Sequence, residues 1–472
     1  MAGLEEMSRG ELVALALAQA ELIGKLQERV AELERRAGRN SRNSSAPPSA
    51  DGLAKPPPRS MRTRSGRKPG KQDGAPGFHL AQVARPDRRV RHFPARCGRC
   101  DGRLRRRDRD GDPVRRQVFD VPEMTVQVTE HELHALGCGH CGAVTRAAAP
   151  AWASAPAAYG PGVTALAAYL SAQHHVPVGR VAEILADACG IEVSAGWVTD
   201  ACRRAEAAVI PAVEAVKDAL AAAPVAHFDE SVTRVAGRSH WMHTAATATL
   251  TAYHIDGHGR GTEAIKAFGI LPRFTGVAVH DAYAGYDGFT GCAHALCCAH
   301  VVRELAGISE FDPAAREDGW AAEMMGLLGD AWRWATAWQK KGHTRLPDFK
   351  ADDLRRRWDE LTGRALAAHP PRRGRQAPAR NLAIRLRDRR EEFLAFTTDF
   401  AVAFSNNTAE QAIRMIKVKT KVSGGFRTLR GAAVFLAIRS YLSTVRKNGL
   451  QAAAALRDAL LGNPWMPPDP AT

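Results

Sequence analysis

Residues 223–235 read APVAHFDESVTRV, and this stretch decides the fold because strand patterns begin here in an otherwise helical chain. Apolar, β-branched and aromatic residues alternate with polar ones, as in a half-buried strand. The next segments, HWMHTAATATL (240–250) and LTAYHID (250–256), extend the pattern to three consecutive antiparallel strands. Further on come a predicted helix in TEAIKAFG (262–269) and predicted strands in GVAVHD (276–281) and AHALCC (293–298). Together they predict a mixed sheet covered by helices, within a multidomain α+β protein.

Three acidic residues stand in distinctive surroundings: Asp229 in HFDES, Asp281 in HDAYAGY and Glu410 in FSNNTAEQAIRM. The first two end short strand-like runs, and the third begins a basic helical stretch that Asn406 or Asn407 is predicted to cap. Magnesium prefers oxygen ligands, and a pair of such ions can stabilise an in-line displacement at phosphorus. The three carboxylates therefore predict a metal-dependent phosphoryl-transfer enzyme, although their spacing alone is a weak signal.

Composition indicates a nucleic-acid partner. The chain has 472 residues and a net charge of +16, which is spread over several basic segments. Neutralising phosphates releases counterions and adds affinity, so a polyanionic partner is the simplest explanation. A generally basic protein from an arginine-rich proteome is the alternative.

Cysteine usage and hydropathy predict the compartment. Nine cysteines are an odd number for a disulfide framework, and four of them form two tight pairs, which suits a reducing environment. No apolar run reaches the roughly 18 residues of a membrane span, and the amino terminus lacks a signal-peptide pattern. We expect a cytoplasmic, nucleoid-associated protein with no membrane partner.

Two CxxC pairs lie in residues 79–150 and predict a zinc-ribbon-like DNA-binding domain. Each pair presents two thiolates on a tight turn, and four thiolates complete a tetrahedral zinc site: Cys97, Cys100, Cys138 and Cys141. The gap between the pairs is wide, but alternating segments such as 126–129 predict a hairpin that crosses it. A redox pair is the rival interpretation, and it explains only one CxxC at a time.

The first 78 residues predict a helix and a tether. Residues 1–37 carry a leucine-rich heptad seam, which predicts a dimerising coiled coil or, alternatively, an amphipathic helix docked on its own domain. Residues 38–78 are rich in Ser, Pro, Gly and basic residues without an apolar period, which predicts a flexible basic linker.

Residues 151–220 are predicted to form a helical domain. The glycine break at Gly190, followed by Ser194 as a candidate N-cap, resembles a helix-turn-helix, and a plain helical packing unit is the alternative. The catalytic domain is predicted over 221–450 with a helical insertion at about 306–400. Residues 451–472 are predicted to be a C-terminal tail.

Several stretches resemble the IS66 family of transposases and occur in the same order. They are NSSAPPSADG (43–52), the two CxxC pairs, HFDES, HDAYAGY, CCAHVVREL (297–305), SNNTAEQAIRMIKVKTKVSGGFRT (405–428) and GAAVFLAIRSYLSTVRKNGL (431–450). The resemblance implies an RNase H-like DDE catalytic domain, with Asp229, Asp281 and Glu410 as the metal-binding triad for Mg²⁺ or Mn²⁺. It also implies recognition of terminal inverted repeats by the front half of the chain, followed by DNA cleavage and strand transfer.

The surroundings of Glu410 predict the DNA contacts. Basic residues free of neighbouring acids follow it, and with one residue of the 297–305 stretch they form the predicted DNA-binding set: Arg414, Lys417, Lys421, Arg427 and Arg303. The expected partners are terminal-repeat and target DNA, further copies of the chain, and small accessory proteins that elements of this family commonly carry.

Three other features of the predicted catalytic domain each allow two interpretations. His300 is predicted to position DNA or a water molecule, or else to be a structural histidine. A second zinc on Cys297, Cys298 and His300 would lack a fourth ligand. Trp241 is predicted to pack in the core or to stack on a displaced base.

Two other functions are the alternatives to a transposase. A DNA-binding regulator with a decayed enzyme domain would lack at least one of the three acids, and none is missing. An RNase H-like nuclease would hydrolyse DNA without joining it.

Overall fold

The computed structural model describes residues 8–40, 43–44, 70–71, 74, 80–107, 109–257, 259–374 and 376–468. The chain forms two units, one of Ser60–Gln127 and one of Met1–Arg59 with Val128–Thr472. Most of the predicted basic linker at 38–78 lies outside the described residues. The predicted domain boundaries stay predictions.

All helices and strands of the described residues belong to the larger unit. The helices are α1 Arg9–Ala37, α2 Pro161–Gln173, α3 Val178–Cys189, α4 Ala195–Ala221, α5 Thr262–Phe268, α6 Cys298–Phe311, α7 Pro313–Asp318, α8 Trp320–Gln339, α9 Asp348–Ala368, α10 Pro378–Asp388, α11 Arg390–Thr398, α12 Asn407–Ser423, α13 Leu429–Lys447 and α14 Ala452–Leu460. The strands are β1 Ala135–Gly137, β2 Val144–Arg146, β3 Val225–Val235, β4 Arg238–Ala246, β5 Thr251–Ile255, β6 Val277–His280 and β7 Ala293–Leu296.

The main sheet has five strands in the order β5-β4-β3-β6-β7. β3, β4 and β5 pair antiparallel, and β6 and β7 add parallel to the other side of β3. Ala236 and Gly237 both have positive φ, 48° and 77°, which is the geometry of a two-residue turn whose twist matches the strands it joins. The prediction of a mixed sheet in a chain of helices and strands is confirmed.

Helices cover both faces of this sheet because its strands alternate apolar side chains between the two faces. On one face, Met242 and Tyr253 pack with residues of α2, α4, α13 and α14. On the other, Phe228 and Ala252 pack with α5 and the end of α4. The central strand β3 is therefore buried on both sides.

The helices of the predicted 151–220 domain share this core. Gly190 is left-handed (φ 65°) after α3, and the Ser194 side chain accepts the Trp197 N–H to cap α4. Both local features of the predicted turn are therefore present. α4, however, runs on through Pro211 and buries Val209 and Val213 in the core that α13 and α14 share. Likewise the predicted tail contains α14, whose Leu456 is fully buried.

A helical segment separates the sheet from α12, as the insertion at about 306–400 predicts. It comprises α7 to α11 and has its own aromatic core around Trp320 and Trp358, both fully buried. The Trp358 indole N–H donates to the Leu386 carbonyl at 2.9 Å, which ties α9 to α10. This segment packs on α6 and on the β6–β7 edge.

Before the sheet, α1 exposes its apolar residues while the turn after it is packed. The exposed large apolar side chains of α1 include Leu12, Leu22, Leu26 and Leu33. Asn43 and Ser44, at the start of the predicted linker, are buried, and Asn43 Nδ2 donates to Glu310 Oε2 at 3.2 Å. The linker thus begins with a turn held against α6. None of the helices among the described residues combines the length and apolar character that crossing a membrane requires.

Candidate active site

Asp229 lies on the central strand β3, two residues beyond the last residue that pairs with β6. Asp281 occupies the equivalent position, two residues beyond Val279, which pairs with His227. Neighbouring parallel strands are about 4.8 Å apart, and residues two apart share a face. The register therefore brings both carboxylates to one face at the end of β6.

Both aspartates hold protons unusually tightly. Burial, followed by the charges of Glu230, Asp281 and Glu410, raises the pKa of Asp229 well above its usual range. Burial and Glu230 raise the pKa of Asp281 to about 6, although the Tyr283 N–H, Arg260 and Arg385 act in the opposite direction. Neighbouring carboxylates thus add to the effect of burial on both aspartates, and a bound cation would oppose it.

Glu410 enters the same field from α12. Its carboxylate lies 3.9 Å from Arg303 Nη2, 3.8 Å from His300 Nδ1 and 3.8 Å from Arg414 Nη2. These separations are longer than hydrogen bonds. After burial and the charge of Glu230, the charges of Asp281 and Glu410 both raise the pKa of Asp229, so Asp229 on β3 lies within electrostatic reach of the other two predicted acids, at the end of β6 and on α12.

α12 is fixed to β3 at both ends. At its start, buried Asn406 donates from Nδ2 to the Phe228 carbonyl at 2.7 Å, and its Oδ1 lies 3.1 Å from His227 Nδ1. After its end, the Phe426 N–H donates to the Arg234 carbonyl and the Phe426 carbonyl accepts the Ala236 N–H, each at 2.8 Å. The predicted capping role of Asn406 is wrong: its side chain makes no cap hydrogen bond, because it crosses to the strand instead.

Sequence reasoning missed a buried ion pair beside the aspartates. Glu230 Oε1 accepts from Arg260 Nε at 2.8 Å and Nη2 at 2.5 Å, and Glu230 Oε2 accepts the Tyr286 hydroxyl at 2.6 Å. The Arg260 guanidinium also lies 4.0 Å from Asp281 Oδ2. Arg260 therefore bridges the ion pair to a predicted catalytic acid.

Two rings hold Arg260 in place. Its Cζ lies 3.7 Å from the Tyr283 ring centroid and 4.8 Å from that of Trp241. Such cation–π contacts attract the guanidinium to the ring faces, more strongly where water is excluded. The role of Trp241 is thus neither of those predicted, since it packs on a charged group beside the site. Only the position of Tyr283 within HDAYAGY hinted at this arrangement.

His280 and Cys298 point away from the acids. The His280 Nε2 lies 2.8 Å from His294 Nδ1, and its ring packs 4.5 Å from that of Tyr286. Cys298 is fully buried, and its thiol donates to the Phe393 carbonyl at 3.2 Å. Neither residue contributes a ligand atom to the site.

One set of three potential metal-ligand atoms meets within 4.8 Å among the described residues, from Cys297, His300 and Glu410. The triad acids do not form such a set. Burial raises the pKa of the Cys297 thiol to about 11, and burial with the charges of Arg303 and Arg385 lowers the pKa of His300 to about 4. The pKa of each group therefore favours its neutral form. His300 lies 3.8 Å from Glu410, so it is placed beside an acid of the predicted site. Its predicted role in positioning DNA or a water molecule stays a prediction.

A comparison with known families shows which family the chain belongs to. A model described as the transposase IS66 family matches residues 156–434, more than half of the chain. The chain belongs to the IS66 transposase family. Membership implies a transposase, with DNA as its partner and divalent metal ions in its chemistry. The resemblance seen in the sequence is confirmed.

The IS66 match covers α2 to α12 and the first part of α13, so it includes the helices of the predicted helix-turn-helix region. A second model, of a family of unknown function (DUF6444), matches residues 5–81. No curated protein is significantly similar to the chain.

The basic residues predicted to bind DNA in this IS66 family member follow one side of α12. Arg414, Lys417 and Lys421 are spaced at helical intervals from Glu410 while Ile413 and Ile416 face the core. Arg414, Lys421 and Arg427 are exposed, Lys417 is half-buried, and Arg303 lies across from them on α6. A line of cations thus leads away from the acids.

The two CxxC pairs adopt the same backbone turn. The Cys97 N–H donates to the Gly102 carbonyl and the Cys97 carbonyl accepts the Asp101 N–H; Cys138 repeats both bonds with Ala143 and Gly142. Residue 101 and residue 142 both have positive φ. Backbone N–H groups of Arg99 and Cys100 lower the pKa of Cys97, and those of Cys141 and His140 lower that of Cys138.

The two CxxC pairs belong to different units of the chain. Cys97 and Cys100 belong to the Ser60–Gln127 unit, and Cys138 and Cys141 to the larger unit. The predicted hairpin at 126–129 is wrong, since those residues form no strand; the hairpin is β1–β2, and it carries Cys138 and Cys141 at its turn. Valine alternation alone misled the prediction, because those side chains have no apolar surface to cover.

Proposed function

We propose that this chain is a metal-dependent DDE transposase that cleaves the ends of its element and joins them to target DNA. The observation that carries the proposal is the convergence of Asp229, Asp281 and Glu410, which are distant in sequence and come from three different elements. Burial and the charge of Glu230 raise the pKa of Asp229 most, and the charges of Asp281 and Glu410 raise it further, which supports their proximity. The central position of β3, with antiparallel neighbours on one side and parallel ones on the other, supports the RNase H-like fold.

The donor set fits hard divalent cations. The three acids offer carboxylate oxygens, which Mg²⁺ and Mn²⁺ prefer. The guanidinium groups around them stay beyond hydrogen-bond distance: Arg260 lies 4.0 Å from Asp281, and Arg303 and Arg414 lie 3.9 Å and 3.8 Å from Glu410. When bound, two such ions would stabilise the attacking and leaving oxygens of a phosphodiester. No covalent bond between the enzyme and DNA is required.

The chain's own groups orient this chemistry. Arg260 holds Asp281 through charge, Glu230 holds Arg260, and the Tyr286 hydroxyl in turn donates to Glu230, so the loop after β6 is fixed from two sides. Asn406 holds the start of α12 against β3 and thereby fixes the position of Glu410 relative to Asp229. Arg260 and Asn406 are positioning residues in this proposal.

DNA would follow the cations of α12. Arg414, Lys417 and Lys421 would contact backbone phosphates, with Arg303 and Arg427 on either side, and such contacts position a duplex without reading its sequence. This assignment rests on exposure and helical spacing.

The zinc assignment and self-association are further parts of the proposal. Four thiolates, two from each CxxC pair, would bind one structural zinc ion as the sequence predicts. The matching turns and the lowered pKa of Cys97 and Cys138 support it, because zinc takes thiolates. The exposed leucines of α1 support dimerisation through this helix.

The decisive experiment incubates the full chain with labelled DNA from the ends of its element, a target plasmid and Mg²⁺. We expect cleaved ends and joined products, both lost in Asp229→Asn, Asp281→Asn and Glu410→Gln. Matched controls are Asp218→Asn and Glu263→Gln, exposed acids away from the site, which should stay active. Cleavage without joining would identify a nuclease, and unchanged joining in the triad variants would refute the assignment.

For zinc, metal analysis of protein purified without chelator should find about one zinc per chain, and the Cys97→Ser variant should lose it. Zinc-free wild-type protein would contradict the assignment.

A further inference from the structure

A cavity of about 350 Å³ lies behind α12, between this helix, α13 and the edge strand β5. Its lining includes Thr408 and Gln411 of α12 but not Glu410. A cavity of this volume is within the range of small-molecule sites. It is therefore a separate feature from the acidic site, although both share one helix.

Two cations line the cavity without an anionic partner. Arg439 is 5% exposed, and no carboxylate of the described residues lies within ion-pair distance of it or of Lys447. Arg439 Nη1 donates to the Gln173 side chain at 2.7 Å and to the carbonyls of Gln173 and Ala172 at 3.2 Å and 3.5 Å, while its Nε has no hydrogen-bond partner among the described residues. Buried charges are normally paired, so an unpaired guanidinium suggests an absent anion.

Lys447 adds a second positive charge at the rim. Its ammonium donates to the Thr247 carbonyl at 2.7 Å and the Leu250 carbonyl at 2.8 Å. An ammonium has three donors, so one remains for a ligand. Burial of the ammonium lowers the pKa of Lys447 to about 8, which a bound anion would reverse.

Hydroxyl groups supply further donors in the lining, and no carboxylate belongs to it. Thr251 is fully buried, and its Oγ1 has no hydrogen-bond partner among the described residues. Ser443 and Thr408 also line the cavity. Guanidinium, ammonium and hydroxyl donors together suit a tetrahedral oxyanion.

The cavity also meets the first turns of α12, a helix of 17 residues. The amino-terminal end of a helix carries a partial positive charge and free N–H groups that favour anions. This field adds to the two cations. It is a supporting observation, since the unpaired Arg439 and Thr251 groups already indicate a ligand.

We propose that this cavity is a binding site for a phosphate group, held by Arg439, Lys447 and the hydroxyls around them. The phosphate belongs either to a DNA backbone or to a free phosphate or nucleotide; only the first of these sources rests on the proposed function. The site is independent of divalent metal, because no carboxylate lines it.

The test is calorimetric titration of the full chain with inorganic phosphate in buffer free of divalent cations. We expect saturable binding in the wild type. Gln411→Glu places a carboxylate in the lining at an exposed position and should weaken binding at least about tenfold, the effect of roughly one unfavourable charge contact. Gln19→Glu, the same change at an exposed position of α1, should bind like the wild type.

Lys447→Gln provides a second variant, and its thermal unfolding midpoint shows whether it still folds. Wild-type protein without saturable binding would overturn the proposal, as would Gln411→Glu that binds normally. Binding lost in Lys417→Gln but kept in Gln411→Glu would place the phosphate on the outer face of α12 and overturn it as well.

The source is separated by repeating the titration with duplex DNA present. If DNA displaces inorganic phosphate from the wild type, the natural ligand is a backbone phosphate. If phosphate and a deoxynucleoside monophosphate bind equally well with DNA present, the ligand is free in solution. Either result supports the phosphate site, and neither depends on catalytic activity.

Discussion

The two regions that meet at α12 differ in charge. On one side Glu410 faces Asp229 and Asp281, where positive charge is insufficient and burial raises the pKa of both aspartates. On the other, Arg439 and Lys447 line a cavity without carboxylates. In the two proposals, one helix separates a region that binds cations from one that binds anions, and in each the sign of the buried excess charge predicts the sign of the ligand.

The largest effect should come from the acidic side. Asp229→Asn removes a central carboxylate while keeping its shape, and we expect DNA cleavage to fall by roughly a thousandfold or more, as when several kcal/mol of transition-state stabilisation are lost. The measurement is the initial rate with labelled end DNA and Mg²⁺. A fall of less than about tenfold would remove Asp229 from the reaction.

The second largest effect should be a loss of stability when α12 is detached from β3. Asn406→Ala leaves the Phe228 carbonyl and His227 without their partner in a buried setting, so the free energy of unfolding should fall by about 3 kcal/mol. The measurement is denaturant unfolding. Asn407→Ala, at the exposed neighbouring position, should cost less than about 1 kcal/mol and is the matched control. Equal losses would mean that the crossing to β3 does not stabilise the helix.

The charge imbalance itself is measurable through pH. A carboxyl with a folded-state pKa of about 6, above its usual 3.8, keeps its proton better when folded, so its contribution to stability is lost as pH rises through this window. Without metal, Asp281→Asn should therefore raise the free energy of unfolding by about 2 kcal/mol at pH 7 and have little effect near pH 4. If the gain in the free energy of unfolding did not depend on pH, the raised pKa of Asp281 could not be its cause.

Divalent metal should cancel that gain. Mg²⁺ stabilises wild-type protein if it binds the native acids, and the Asp281→Asn variant should respond less. Thermal unfolding with and without Mg²⁺ at pH 7 gives the comparison. An identical response would place the metal elsewhere.

The smallest effect belongs to the exposed line of cations. Lys417→Gln and Lys421→Gln should each weaken DNA binding only a few fold and reduce the salt dependence of the logarithm of the binding constant by about one. Binding titrations at several salt concentrations provide the slope. Lys340→Gln, an exposed lysine of the insertion, is the control and should leave the slope unchanged.

Local signals let the sequence predict much of this molecule. Alternation in 223–256 predicted three strands correctly. The neighbours of Asp229, Asp281 and Glu410 pointed to three acids that the structure places within electrostatic reach of Asp229, and their catalytic role stays a prediction. Helix-forming stretches and the insertion were also predictable from periodicity. These features depend on residues close together in the chain.

The missed features depend on distant residues. Arg260 lies in a loop, and its function arises only because Glu230, Tyr283 and Trp241 meet it in space. Asn406 looked like a helix cap, but a buried carbonyl of β3 competes for its amide. The cation-lined cavity joins α12 to α13 and β5, which no local pattern connects.

The double attachment of α12 constrains how this chain can vary in length. Asn406 and Phe426 are both fixed to β3, so the number of residues between them sets the angular phase of the helix. Each inserted or deleted residue would turn one part of α12 by about 100° relative to the other. A single-residue change between Asn406 and Glu410 would thus turn Glu410 by about 100° away from the aspartates, whereas the exposed residues 370–374, between α9 and α10, can gain or lose residues at little cost.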